Sequence, residues 1–416
     1  MSSRDNYLVI GGSGFLGRHI VEALVKRGDV VSVLDIVQRY HDVPFYMADI
    51  SVQEQVEDVL AKSGATCIIH TASPPHGLDP AIYWKVNVEG TKAVIAAAVA
   101  HGVPKLVFTS SAGVIFSGND IIDVDERVEF PEKALDAYNE SKAKAEELIL
   151  AANGKDGLKT VALRPAGIFG PGDRQVMHGL MQVFKNKQTH FQIGDNNNLF
   201  DWTYVTNVAD AHLLAADRLS APRTDLEDAR HHQLPPINLS TGQRIVPTSK
   251  GRPMGPAVEP TSNATDLEKA FREGTHYEDR PCVRTRFDQL SDTVIAKTES
   301  NPFRVDGEVF FITNGEPVYF WDFMRAVWHE MGDPLDRRIT KIPKSLGSVL
   351  ASLAETWSWL IGKEPTFTRF RVAFSCVNRW HNIEKARLVL GFEPKVGVVD
   401  GIGRMVEWYK SEHMKE

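Results

Sequence analysis

The chain has 416 residues, 43% of them hydrophobic and 24% charged, which is enough apolar material for one large or two medium cores and excludes a disordered or fibrous protein. A formal net charge of −7, with no long basic block, leaves nothing to neutralise a phosphate backbone, so nucleic acid is excluded and a small-molecule partner is expected. Cys67, Cys282 and Cys376 show neither CxxC nor Cys/His spacing, so neither a disulfide framework nor a zinc site is indicated.

The opening "MSSRDNYLVIGG" lacks a basic region followed by an apolar stretch and a cleavage site, so no secretion signal is expected. From there to about residue 165, the runs "YLVIGG", "VVSVLD", "TCIIHTA", "KLVFTSS" and "KTVALRP" alternate with segments of helical apolar spacing. The runs are too continuously apolar for strands with one wet face, and glycine closes several of the helices. The alternation predicts a parallel sheet wound on both faces.

The first run turns into "GGSGFLG". Gly11, Gly14 and Gly17, with Ser13, Phe15 and Leu16 among them, lie between strand and helix. Residues without a Cβ there permit a tight turn, approach of a pyrophosphate to backbone N–H groups and close helix packing. The next strand ends at Asp35, 18 residues beyond Gly17, where a carboxylate can accept from adenosine ribose hydroxyls. That carboxylate repels a 2′-phosphate and Ile36 offers no positive charge, so NAD is expected over NADP. Arg39, read here as a solvated surface charge, is the residue that would admit NADP. Asp49 and Ile50, in "MADI", are expected near the adenine; the plainer role for Asp49 is to cap the helix beginning around Ser51.

"KLVFTSS" ends in Ser110 and Ser111 at the carboxyl end of the sheet, where ligands bind in such folds. Ser111 is expected to hydrogen-bond a reacting oxygen, and Ser110 to make a strand-end contact. In "YNESK", the i, i+4 spacing puts Tyr138 and Lys142 on one helical face, so the ammonium can sit near the phenol and favour its phenolate. A phenol with an ordinary pKa of about 10 needs such help to abstract an alcohol proton near neutrality. Lys142 could also hold ribose hydroxyls. Alone, the pair would be incidental on an exposed helix; beside a dinucleotide turn, Ser, Tyr and Lys complete a proton-transfer group.

Beyond residue 165 the alternation weakens, and 166–219 with 305–416 are assigned mainly to a smaller substrate-binding region. Residues 220–304, rich in Pro, Arg, Asp, Thr and Gly, are read as a polar, partly mobile insertion that cofactor binding does not need. Phe310, Phe311, Tyr319, Phe320 and Trp321 suit a flat apolar substrate, although each taken singly is more simply core. In "SLGSVLASLAETWSWLIG", residues 345–362, the side chains of Leu346, Val349, Leu350, Leu353, Trp357, Leu360 and Ile361 share one helical face. Its glutamate and serines argue against crossing a bilayer. Trp357 and Trp359, flanked by Lys341, Lys344 and Lys363, suit the interface instead, the alternative being packing on the substrate region or a dimer partner.

"GGSGFLG", "FTSSAGV", "YNESK", "LRPAGIFGPGD" and "DWTYVTNVADAH" together resemble an extended short-chain dehydrogenase/reductase. Within that superfamily "RPAGIFGPGDRQ", "IGDNNNLFDWTYVTNVADAHLLAA" and "FFITNGEPVYFWDF" resemble the 3β-hydroxysteroid dehydrogenase family. The resemblance covers nearly all of the chain except the insertion. It implies an α/β fold with a Rossmann-type doubly wound parallel sheet, and NAD-dependent oxidation of a 3β-hydroxysterol, with loss of CO₂ where a 4α-carboxylate is present, in sterol (ergosterol) synthesis. It implies Ser111, Tyr138 and Lys142 as the catalytic group, with Thr71, Ala72, Ser73, Asn87, Pro165, Ala166 and Gly167 joining the glycines and Asp35 around the cofactor. It also implies peripheral attachment at the endoplasmic reticulum, with a second copy or other sterol-synthesis enzymes as partners. Nucleotide-sugar epimerases and flavonoid-type reductases would use similar residues, whereas a protein that only binds dinucleotide commonly lacks the Tyr or the Lys.

Overall fold

The computed structural model describes residues 5–222, 303–334, 337–360 and 368–414. The segment read as an insertion falls almost wholly on 223–302 and lies outside the described residues. Seven strands form the central sheet: β1 Asn6–Ile10, β2 Val30–Asp35, β3 Phe45–Met47, β4 Cys67–His70, β5 Lys105–Thr109, β6 Lys159–Pro165 and β7 Glu308–Ile312. All neighbours are parallel, in the order β7-β6-β5-β4-β1-β2-β3. The strand order reverses at β1 and β4, which opens a crevice at their carboxyl ends.

Strand alternation explains why both faces are covered. Tyr7, Val9, Cys67, Ile69, Val107, Val161 and Leu163 point to one face, where they meet Leu16, Ile20, Val21 and Leu24 of α1 (Phe15–Arg27). Leu8, Ile10, Ile68, Leu106, Phe108 and Ala162 point to the other, against α2 (Gln53–Ser63), α3 (Gly90–Ala100) and α4 (Ala137–Ala152). Burying each large side chain contributes about 1.5–3 kcal/mol, and none of these strands can trade a core residue for a polar one on either face. Helix α1 stops where Gly28 adopts a left-handed φ of 81° and its N–H reaches back to the carbonyls of Leu24 and Val25.

Two elements sit elsewhere than expected. The helix α5 (Val205–Ser220) covers the α1 face of the sheet, and β7 is its edge strand, so 166–219 and 305–416 are not purely a substrate region. The edge position of "EVFFI" comes from pairing Val309 with Ala162 and Phe310 with Leu163, a long-range register that no local pattern announces. Strand β3 is only three residues long and ends just before Asp49. A second body of apolar contact gathers Phe169, Met177, Phe200, Trp202, Phe323, Trp328, Ile402 and Tyr409 beside the sheet, with Trp202 stacked on Phe323 at 4.1 Å. Phe310, Phe311 and Phe320 are buried in these clusters, which makes them core rather than substrate surface.

Candidate active site

The glycine turn leaves β1 at Gly11, whose φ of +83° favours glycine and whose N–H donates to the Leu34 carbonyl at 2.8 Å. A Cβ on Gly11 would lie 2.8 Å from both the Ala72 backbone N and Thr71 Oγ1; one on Gly17 would lie 2.1 Å from the Gly11 carbonyl oxygen. The turn therefore presses against the end of β4 and against the first turn of α1. Gly12, passed over in the sequence, is equally constrained, because a Cβ there would meet Val33 Cγ2 at 2.6 Å. Such a cradle, opening a helix without side chains in the way, fits a dinucleotide pyrophosphate.

Asp35 ends β2 beside this turn. Its Oδ2 accepts from the Ser13 N–H at 3.0 Å and its Oδ1 from the Ile36 N–H at 2.8 Å, which leaves lone pairs on both oxygens for ribose hydroxyls. Arg39 is exposed as expected, yet it is not merely solvated: Nη1 donates to the Ser13 carbonyl at 3.1 Å, which holds the guanidinium beside the Asp35 turn. Asp49 Oδ1 accepts from both the N–H and the hydroxyl of Ser51, at 2.9 and 2.7 Å, and Oδ2 faces Lys85 at 3.3 Å. These contacts lower its pKa against the upward push of partial burial. The helix N-cap itself is Val52, so Asp49 shapes the preceding turn instead of capping α2. The Ile50 and Leu16 side chains go into the core, so only their backbones can face a cofactor.

A chain of hydrogen bonds links the end of β4 to helix α4. Ser73 Oγ donates to Asn87 Oδ1 at 3.1 Å, Asn87 Nδ2 to Ser141 Oγ at 2.9 Å, and Ser141 Oγ to the Tyr138 carbonyl at 2.8 Å. Asn87 is no surface amide; it is buried on a π-helical turn, Trp84–Glu89, of the kind that often re-aims a side chain at a functional site. Helix α4 starts at Asp136, whose carboxylate accepts from the Asn139 N–H at 2.8 Å. Asn139 then lies so close to Gly113 that a Cβ there would be 2.2 Å from its Oδ1, and this fit draws the Ser111 loop onto the start of α4. Ser111 Oγ accepts from the Gly113 N–H at 3.0 Å, which leaves its own proton free to donate to a substrate oxygen. Ser110 is committed elsewhere: its hydroxyl donates to Glu146 at 2.5 Å, and Glu146 holds Arg164 in a buried pair at 2.5 Å.

Tyr138 is half-buried, with the His76 ring 3.9 Å and the Tyr83 ring 5.7 Å away. Burial pushes its phenol up to about 12, while a hydrogen bond with Ser73 pulls the other way. Lys142 is almost fully buried, and burial takes its ammonium down to about 7. The expected contact with the phenol is replaced by another: Nζ donates to the Thr109 carbonyl at 2.5 Å and lies 4.4 Å over the Phe108 ring. The i, i+4 spacing fixed the face but not the rotamer, and a buried ammonium needs a strong acceptor, which a strand-end carbonyl supplies better than a phenol. Pro165 ends β6; the Ala166 N–H donates to the Ile312 carbonyl at 3.1 Å, and a Cβ on Gly167 would touch Phe200 at 2.9 Å.

One residue of this neighbourhood escaped the sequence reading. Arg379, on the short strand Arg379–His381, is 9% exposed, and its guanidinium carbon lies 4.1, 4.7 and 5.4 Å from the ring centroids of Phe116, Phe374 and Phe200. Burial lowers its pKa to about 10, against the pull of Asp136 and Asp201. An isolated Arg in "CVNRWHN" carries no spacing signal that would have found it.

Comparison with known proteins agrees with this architecture. The sequence pattern of the 3-beta hydroxysteroid dehydrogenase/isomerase family matches residues 8–232. The chain is similar to the decarboxylating sterol-4-alpha-carboxylate 3-dehydrogenase of Schizosaccharomyces pombe, 39% identical over 98% of both chains. It is 38% identical to the Saccharomyces cerevisiae protein of the same description over 98% of this chain and 99% of that one, and 30% identical to the human one over 97% and 87%. Among solved structures, UDP-glucose 4-epimerases of Thermotoga maritima, with UDP-glucose, and Thermus thermophilus, with NAD, superpose with TM-scores of 0.60 and 0.59. Each is 19% identical over 98% of this chain and 99% of its own, a likeness of fold alone.

Proposed function

Because the chain belongs to the 3-beta hydroxysteroid dehydrogenase/isomerase family, we propose that it is an NAD-dependent, decarboxylating sterol-4α-carboxylate 3-dehydrogenase of sterol biosynthesis. The observation that supports this reading is the packing of the Ser111 loop, through Gly113 against Asn139, on the first turn of the helix that carries Tyr138, in a chain whose glycine cradle suits a dinucleotide. The oxidised nicotinamide, when bound, supplies the acceptor for the hydride from C3. Tyr138, as phenolate, accepts the proton of the 3-hydroxyl, and Ser111 donates a hydrogen bond that fixes the same oxygen. Lys142, on the same helix as Tyr138 and held by the Thr109 carbonyl, favours the phenolate through its field when protonated, and its sequence register is that of a residue that reaches ribose hydroxyls.

The resulting 3-ketone carries a carboxylate on the adjacent carbon. Its C4–CO₂ bond can then break, with the electron pair forming an enolate on the C3 oxygen; CO₂ leaves and C4 takes up a proton. Ser111 and the now protonated Tyr138 both donate to that enolate oxygen, so one set of donors serves both steps. Incubation with NAD and a 3β-hydroxysterol 4α-carboxylate should give NADH and CO₂ in equal amounts. NADH without CO₂ would reduce the reading to a simple 3β-hydroxysteroid dehydrogenase, and neither product would overturn it.

The protein is further read as peripheral to the cytosolic face of the endoplasmic reticulum, beside other enzymes of sterol synthesis. Among the described residues no helix is long and apolar enough to cross a membrane. The helix Lys344–Leu360 is unusual in another way. It packs inward through small residues, Gly347 against Ile193 and Val372, with Ala351 fully buried, and turns Leu346, Val349, Leu350, Leu353 and Trp357 outward. Leu353 and Trp357 are 62% and 64% exposed. The hydroxyls of Ser348, Ser352 and Thr356 donate back to carbonyls four residues earlier, so they need no water. An apolar stripe with internally satisfied polar groups suits the lipid interface. The protein should float with liposomes, and Leu350→Ser, Leu353→Ser and Trp357→Ser together should abolish flotation without lowering the melting temperature; unchanged flotation would take this helix off the membrane.

A further inference from the structure

A guanidinium in an apolar cage is costly unless an anion answers it. Arg379 is held among the rings of Phe116, Phe200 and Phe374, and its Nε has no hydrogen-bond partner. The two carboxylates that influence it are engaged elsewhere. Asp201 Oδ2 accepts from His381 Nδ1 and from the His381 N–H, at 3.0 and 2.8 Å, while Asp136 caps α4 through Asn139. Among the described residues Arg379 forms no ion pair.

The position of this cation is as informative as its isolation. Phe116 follows directly on the short helical turn Ala112–Ile115 that Ser111 caps. Asp136, within electrostatic reach of Arg379, is the N-cap of the helix whose second residue is Tyr138. Phe200 lies against Gly167, at the end of β6. Three segments that build the reaction centre thus converge on the same guanidinium, and the aromatic faces around it would pack against an apolar ring system.

We propose that Arg379 is the residue that recognises the carboxylate of the substrate, pairing with the anionic group on the carbon next to the one oxidised. This inference rests on the functional reading above and adds to it the basis of selectivity. Phe116, Phe200 and Phe374 fix the guanidinium plane and exclude water, which strengthens a bidentate pair. Loss of CO₂ removes the anion, so the ketone product gives up this contact and is released more readily than the acid was bound.

The test compares two sterols that differ only in the carboxylate, a 3β-hydroxysterol 4α-carboxylic acid and the matching 4α-methyl alcohol, with wild type, Arg379→Met and Arg379→Lys in the presence of NAD. Arg379→Met should lower kcat/KM for the acid on the order of 100-fold, mostly through KM, and change the alcohol by no more than a few-fold. Arg379→Lys should recover part of the loss, and Arg379→Met should melt no lower than wild type. An equal loss on both sterols, or no loss on the acid, would overturn the assignment. Should wild type oxidise neither sterol, the functional reading fails by itself; calorimetric titration of the acid into wild type and Arg379→Met then decides the carboxylate site, weaker binding to the variant supporting it and equal binding refuting it.

Discussion

The sheet and the aromatic body beside it differ in how one buried arginine of each is answered. In the sheet half, Arg164 is answered by Glu146, Glu146 also accepts from Ser110, and Lys142 donates to a strand-end carbonyl. Arg164 Nη1 and His70 Nδ1 are the loose ends there. In the other half, Arg379 Nε, His381 Nε2 and Trp202 Nε1 are buried without a partner. The second half also pairs buried charges, Asp322 with Arg325 and Asp201 with His381, so what sets it apart among the described residues is the single unanswered Arg379 guanidinium, held at some cost in stability.

Mutations that remove one group at a time sharpen this contrast. Tyr138→Phe should have the largest effect, lowering the oxidation rate by about 10³-fold, within the range that general acid–base catalysis supplies, while NAD affinity measured by fluorescence titration stays unchanged. Oxidation at near wild-type rate would remove Tyr138 from the chemistry and leave the sheet half with a purely structural site. Arg164→Met should come next. It leaves Glu146 buried and unanswered, and chemical denaturation should register a loss of about 3–5 kcal/mol. Set beside Arg379→Met, which should cost selectivity and no stability, it measures the difference between the halves; equal destabilisation by both would erase it.

Ser73→Ala should act most gently. Burial raises the Tyr138 phenol and Ser73 lowers it, so removing the hydroxyl leaves the phenol higher still. A base that works as phenolate is then available only at higher pH, and the rising alkaline limb of kcat/KM for oxidation should move upward by a fraction of a pH unit to about one unit. A limb that stays in place would mean that Ser73 serves only the Asn87 network.

The same contrast decides what could be read from the sequence. The sheet was legible because each of its rules is local: a continuous apolar run, a glycine triplet at the strand end, an acid at the end of β2, and a tyrosine and lysine one turn apart. Its errors arose where a long-range contact overrode a local one, as when Glu308–Ile312 paired with Lys159–Pro165, or when Lys142 took the Thr109 carbonyl in place of the phenol. Arg379 was invisible for the same reason. Its burial is the work of Phe116, Phe200 and Phe374, which come from three distant stretches, and no window of sequence contains the cage. Gly12 and Gly113 could have been found, since both stand in quoted motifs, but the approach that forbids a side chain at each becomes apparent only when Val33 and Asn139 are in place.

The outward-facing helix Lys344–Leu360 packs through Gly347 on Val372, in the helix Arg369–Phe374 that also supplies Phe374 to the cage. If that helix lies at the lipid boundary as proposed, the enzyme would sample a two-dimensional reservoir, and the quantity that sets its rate would be the mole fraction of sterol in the bilayer. Diluting vesicles of fixed composition should then leave turnover of the bound enzyme unchanged, while diluting the sterol with phospholipid within each vesicle should slow it. A water-soluble carboxylated analogue would lose this advantage and would have to find the site from bulk solution.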